Sequence, residues 1–213
     1  MSITPLSPSL RGVAYVALTG IGYYIVILVS LHFLRPDVNP ISQFTSNYAI
    51  GSFGFLMTTA FFGLSLGSLA LVIGLYQAIS QRARSMIGLV FLSLWAVGLI
   101  IAGLFPLDPN VPQQATMARI SQVNAPLHVL SLAIGAILVS RRFKQGDNWR
   151  SLHRSALILS VFMLVLFIVV AFTTATGSEF AGLGQRVFIV TALTWLLLIA
   201  TRLRSIATKA VSA

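Results

Sequence analysis

Residues 86–105 read MIGLVFLSLWAVGLIIAGLF, twenty positions without a charge. At 1.5 Å per residue a helix of that length covers about 30 Å, the hydrocarbon thickness of a bilayer. Working outward, five more apolar stretches of similar kind flank it. The expected spans are residues 12–34, 53–79, 86–105, 124–141, 157–174 and 187–202. They lack the short alternating segments of a membrane barrel. The expectation is an all-α polytopic membrane protein, one domain over residues 1–213, built as a bundle of six transmembrane helices. Arg11 alone precedes the first span, which is too long for the apolar core of a signal peptide. Arg35-Pro36-Asp37 follows it where a cleavage site of small residues would stand, so it reads as a retained anchor.

Composition supports this. The chain is 57% hydrophobic and 8% charged, whereas a soluble domain needs about a quarter of its residues charged to face water. With no cysteine, disulfides, zinc-thiolate sites, iron–sulfur clusters and thiol catalysis are excluded. The net charge of +10 does not point to nucleic acid, because no soluble surface remains to carry a basic patch. Instead the basic residues sort by side. Arg11, Arg82, Arg84, Arg141, Arg142, Lys144, Arg150, Arg154, Arg202, Arg204 and Lys209 fall on one face, eleven of fourteen. Only Arg35, Arg119 and Arg186 fall on the other. The positive-inside rule then places both termini in the cytoplasm (N-in/C-in), and an inner (plasma) membrane suits helices with this bias. Arg141, Arg142, Lys144 and Arg150 form a basic membrane-surface cluster, within which Trp149 reads as a headgroup-level anchor. His153, among the same arginines, reads as solvated surface.

Gly63-Leu64-Ser65-Leu66-Gly67, extended by Ala60 and Gly74, is a small-residue face in the second span. It is read as packing within the chain in preference to a dimer contact.

Acidic residues are scarce, and three of the four, Asp37, Asp108 and Glu179, fall in the outer loops. His32 closes the first span and His128 opens the fourth, where Asn124, His128 and Ser131 share one helix face that should point into the bundle. Ionisable groups at membrane depth are costly unless paired, so these residues are site candidates. Turn chemistry is the competing account of Asp37 and Asp108, which sit beside Pro36 and Pro109. No lysine lies in a span, which excludes a retinal-type Schiff base. No GxSxG, HExxH or phosphate-binding glycine loop is present.

Several segments taken together resemble a bacterial six-helix membrane family catalogued as domain of unknown function 998. They are His32-Phe33-Leu34-Arg35-Pro36 with Asn39-Pro40-Ile41-Ser42, then Ser46-Asn47-Tyr48-Ala49-Ile50-Gly51 with Gly54, Gly103-Leu104-Phe105-Pro106-Leu107-Asp108-Pro109, Leu127-His128 and Gly184-Gln185-Arg186. The resemblance implies a six-helix membrane fold and draws attention to outer-face residues, but supplies no activity. Family members usually carry an acid before the tyrosine, where this chain has Asn47.

Three functional readings stand open. The first is an outer-face site for a lipid or small polar ligand, formed by His32, Asp37, Asn47, Asp108, His128, Gln185 and Arg186. Arg186 would serve there as a donor to phosphate or carboxylate, and His128 with Asp108 as base and orienting acid or as metal ligands. Whether such a site is enzymatic is undecided, and no cofactor is assigned. The second is a non-catalytic accessory subunit that contacts a membrane-protein partner. The third is a haem carrier using His32 and His128 as axial ligands. A transporter is disfavoured by the lack of charged mid-span residues.

Overall fold

The computed structural model describes residues 8–106, 112 and 116–209. Six helices in it are long and apolar enough to cross a membrane: α1 Pro8–Leu34, α2 Gly54–Ala78, α3 Met86–Leu104, α4 Thr116–Arg142, α5 His153–Ala175 and α6 Ala181–Lys209. Short 3-10 turns occupy Thr45–Ala49, Phe143–Gln145 and Arg150–Leu152. No strand occurs among the described residues.

Each helix packs on the next in sequence, and α6 closes back on α1, so the bundle is a ring of antiparallel neighbours. One face carries the first loop (residues 35–53) and the start of α6, the other the start of α1 and the end of α6.

The exterior is apolar where a soluble protein would be charged. Phe33 is 80% exposed and Phe172 67% exposed, among many large apolar side chains turned outward. On α5 only Ala156, Ser160, Met163 and Leu166 are buried, one narrow seam. Such a surface is stable only against lipid. The interior, by contrast, holds hydroxyls, and three of them bond across helices as buried polar groups require. Ser65 donates to the Ala96 carbonyl (2.7 Å), Ser68 accepts from Trp95 Nε1 (3.2 Å), and Ser140 accepts from Trp195 Nε1 (3.1 Å).

Glycines set the closest seams. A Cβ at Gly20 of α1 would overlap the Gly63 carbonyl and the Gly67 backbone of α2. The small-residue face is therefore an internal seam, with backbones nearer than side chains allow.

The structure departs from the hydropathy reading at several points. α4 starts at Thr116, eight residues before the expected 124, and α6 runs Ala181–Lys209 instead of 187–202. Polar residues near their ends, Arg119, Ser121 and Gln122 in α4 and Gln185, Arg186, Arg202 and Arg204 in α6, lower hydropathy without preventing helix. α4 continues through Pro126, which removes one backbone bond but does not end a helix that neighbours support. Trp149 is not a headgroup anchor. It is 1% exposed and stacks on Phe143 with ring centroids 5.0 Å apart. His153 is not free surface either, since its Nδ1 donates to the Ser140 carbonyl at the end of α4 (2.9 Å).

Overpacking a tight seam costs about 1–3 kcal/mol. Gly20→Leu should therefore lower the melting temperature of the detergent-solubilised protein clearly. Gly22→Leu, whose added Cβ meets nothing within 4 Å, should leave it near wild type. Equal melting of the two variants would remove the seam from the account of stability.

Candidate functional site

The first loop is held by a buried arginine. Arg35, 8% exposed, donates through Nε and Nη2 to both carboxylate oxygens of Asp37 at 2.8 and 2.7 Å. Its Nη1 donates to the Ile50 and Ser52 carbonyls at 2.5 and 2.8 Å. A planar fork of donors can bind a carboxylate and two carbonyls at once, which a lysine cannot. The loop is thereby stapled across its two ends, with Gly51 at φ +73° making the turn beside the guanidinium. Asp37 remains exposed, and its hydrogen bonds from Arg35 hold its carboxyl below the usual range.

A second cluster joins this loop to α6. His32 Nδ1 lies 2.7 Å from the Leu28 carbonyl. A carbonyl only accepts, so Nδ1 carries the proton and Nε2 is left as acceptor. Arg186 Nε donates to that Nε2 at 3.1 Å. Arg186 Nη1 donates to the Gln43 and Gly182 carbonyls at 2.7 and 3.1 Å, and Nη2 reaches the Tyr48 hydroxyl at 3.5 Å. The buried Tyr48 ring lies 5.2 Å from the His32 ring. Leu183 N, in the first turn of α6, donates to the Ile41 carbonyl at 2.8 Å, so the loop caps that helix end. Gly182 permits the approach, since a Cβ there would overlap the Gln43 and Ile41 backbone.

Beneath this loop lies a cavity of about 100 Å³. Its walls come from α1 (Tyr24), α2 (Phe61), α3 (Trp95, Leu99), α4 (Ser121, Asn124, His128), α6 (Gln185, Phe188) and the loop (Thr45, Ser46). His128 is the thirteenth residue of α4 and stacks on Trp95 (5.3 Å, 22°). Trp95 is the tenth of the 19 residues of α3, so the imidazole sits at the depth of the middle of that span. It does not lie at the helix mouth, where an α4 beginning near 124 would have put it. Gly98 makes room, for a Cβ there would overlap the His128 side chain. Asn124 Nδ2 donates to the Gly98 carbonyl (2.9 Å), which fixes the polar face of α4 toward the bundle. His128 Nδ1 donates to the Asn124 carbonyl (2.7 Å), leaving Nε2 as a bare acceptor with no hydrogen-bond partner among the described residues. Gln185 Oε1 accepts from Thr45 N and Oγ1 at 2.8 and 3.2 Å.

The candidates thus divide. His128 and Gln185 line the cavity, and Arg186 with His32 forms the adjoining cluster. Asp37 belongs to the Arg35 staple and is not a lining residue. Asn47, in the 3-10 turn, makes no side-chain hydrogen bond among the described residues. Asp108 lies outside the described residues. At the opposite face Arg141, Arg142 and Lys144 border a groove of about 290 Å³ with Ser85, Leu138 and Gln145, and Arg150 donates to the Lys144 carbonyl (3.3 Å).

Among the described residues no three His, Cys, Asp or Glu side chains are grouped to hold a metal. A haem between His32 and His128 does not fit, because both ring nitrogens of His32 are already bonded within the chain. Ser121 and Trp95 were not recognised as candidates from sequence. Ser121, Asn124 and His128 recur at helical spacing, a signal readable only once α4 is known to start at Thr116.

A family model described as "Protein of unknown function (DUF998)" matches residues 17–202. No curated protein and no solved structure matches the chain.

The depressed Asp37 carboxyl gives a pH test. A group acidified by folding stabilises above its unfolded pKa, and that contribution is lost as pH falls through the folded value. Asp37→Asn should melt below wild type at neutral pH, with the gap closing in acid. A gap that stays constant from pH 7 to 3 would show that the staple does not act through the charged pair.

Proposed function

Since the chain belongs to the family of proteins of unknown function DUF998, we propose that it works as a small-ligand or lipid binding protein of the plasma membrane. The termini face the cytoplasm and the first-loop face points outward. The basic excess on the terminal face supports that orientation. The ligand site is the cavity beneath the first loop.

One observation carries the reading: the bare Nε2 of His128 on the cavity wall, at mid-span depth. No donor among the described residues satisfies that acceptor, and a polar, ionisable group within a span is by default a functional one. Trp95 and Gly98 fix the ring, and Asn124 fixes its tautomer, so the acceptor is aimed in advance. His32 and Arg186 act here as positioning residues, since they bind the first loop over the cavity. Arg186 is not a free anion donor, because its guanidinium already serves His32, two carbonyls and Tyr48.

Native mass spectrometry from mild detergent tests the site. Wild type should carry a bound non-protein mass that His128→Leu loses while keeping its melting temperature. A bare wild-type chain, or an adduct indifferent to His128→Leu, would sink the reading. Orientation has its own measurement, helped by the absence of cysteine. On intact cells a membrane-impermeant maleimide should label Ser42→Cys in the first loop and spare Gln81→Cys between α2 and α3. The reverse pattern would invert the topology.

A further inference from the structure

The unsatisfied groups on the cavity wall define what the occupant must offer. Resting on the reading of the cavity as a ligand site, we propose that it takes an uncharged, hydroxyl-bearing group. Its O–H donates to His128 Nε2, as the glycerol end of a neutral lipid or free glycerol would.

Four side chains present unused hydrogen-bonding capacity. His128 Nε2 accepts only, because its partner nitrogen holds the ring proton. Asn124 donates through Nδ2 to the Gly98 carbonyl, which leaves Oδ1 as a second acceptor. Ser121, one helical turn toward the first loop, is 5% exposed and lines the cavity. Its hydroxyl has no hydrogen-bond partner among the described residues. Gln185 accepts through Oε1, so its amide nitrogen remains as a donor. These groups form a row at i, i+3 and i+7 on α4, faced by α6. Two bare acceptors beside a hydroxyl call for a ligand that donates, while the Gln185 amide nitrogen and the Ser121 hydroxyl can donate to its oxygens. Adjacent hydroxyls on a short carbon frame meet that pattern.

Charge argues the same way. None of the described lining residues carries a formal charge with His128 neutral. A carboxylate or phosphate would confront two lone pairs without a compensating cation, and an ammonium would lack a carboxylate. An unpaired ion in such surroundings is strongly disfavoured. Size limits the rest: about 100 Å³ is less than the ~150 Å³ cavity that accepts a benzene ring. A few heavy atoms fit, and an acyl chain must lie outside. Tyr24, Phe61, Trp95, Leu99 and Phe188 supply apolar contact for the carbon frame.

The test compares photoreactive probes with the same diazirine-bearing chain: a monoacylglycerol, the free fatty acid and the fatty acid methyl ester. Each is incubated with the purified full-length protein and read by intact mass. The monoacylglycerol should label wild type best, and Ser121→Ala and His128→Leu should each reduce that labelling about tenfold, the effect of one lost hydrogen bond. Protection by free glycerol would support the hydroxyl assignment with a soluble source. Labelling that glycerol leaves intact would support it with a lipid source. If the fatty acid labels as well as the monoacylglycerol, and His128→Leu abolishes both, the site survives and the uncharged, hydroxyl-bearing class is wrong. If no probe labels in a way that either variant changes, the site fails together with the class. Ser121→Ala removes one oxygen only, so the answer does not depend on His128→Leu folding.

Discussion

Inside hydrocarbon a peptide group has no water to bond, so every backbone and side-chain polar atom must find its partner within the chain. The rest of this structure follows from that constraint. It fixes six helices as the only described elements long enough to span, and it pairs Ser65, Ser68 and Ser140 with a carbonyl or a tryptophan nitrogen of another helix. It also makes glycine contacts the natural seams, since burying apolar side chains gains little against lipid and close packing must do the joining.

The same constraint explains the first loop. A polar segment entering the top of a bundle must bring its own donors, and Arg35 and Arg186 are those donors. Each is a multidentate cation turned toward backbone carbonyls, and each ties segments distant in sequence: residue 35 to 52, and residue 186 to 32 and 43. Beside those bonded guanidinium groups, the free acceptors on the cavity wall stand out as a chemical preference.

The six spans, their helical nature and the inward face bearing Asn124 and His128 are legible in the sequence, because hydropathy and helical spacing register them directly. The depth of His128 is not. Thr116 to Val123 are too polar to score as membrane, so α4 looks shorter than it is and its histidine seems to sit at the mouth. Trp149 misleads for a related reason: its neighbours in sequence are arginines, but its neighbour in space is Phe143, and only tertiary contact reveals that. Asp37 and Arg186 were recognisable as important polar residues. Their engagement with Arg35 and with backbone carbonyls depends on where the loop returns, which no local pattern encodes.

The closure of α6 onto α1 and the first loop has a bearing on biogenesis. Spans enter the membrane in order of synthesis, and the partner of His32, together with the donor to the Gln43 carbonyl, arrives only with the last of them. Until Arg186 and Leu183 are in place, the first loop lacks its bonds to α6 and the cavity lacks the wall that bears Gln185. A nascent chain ending after α5 is therefore an open crescent with an unclosed edge. The sixth helix is what turns five inserted spans into a closed ring.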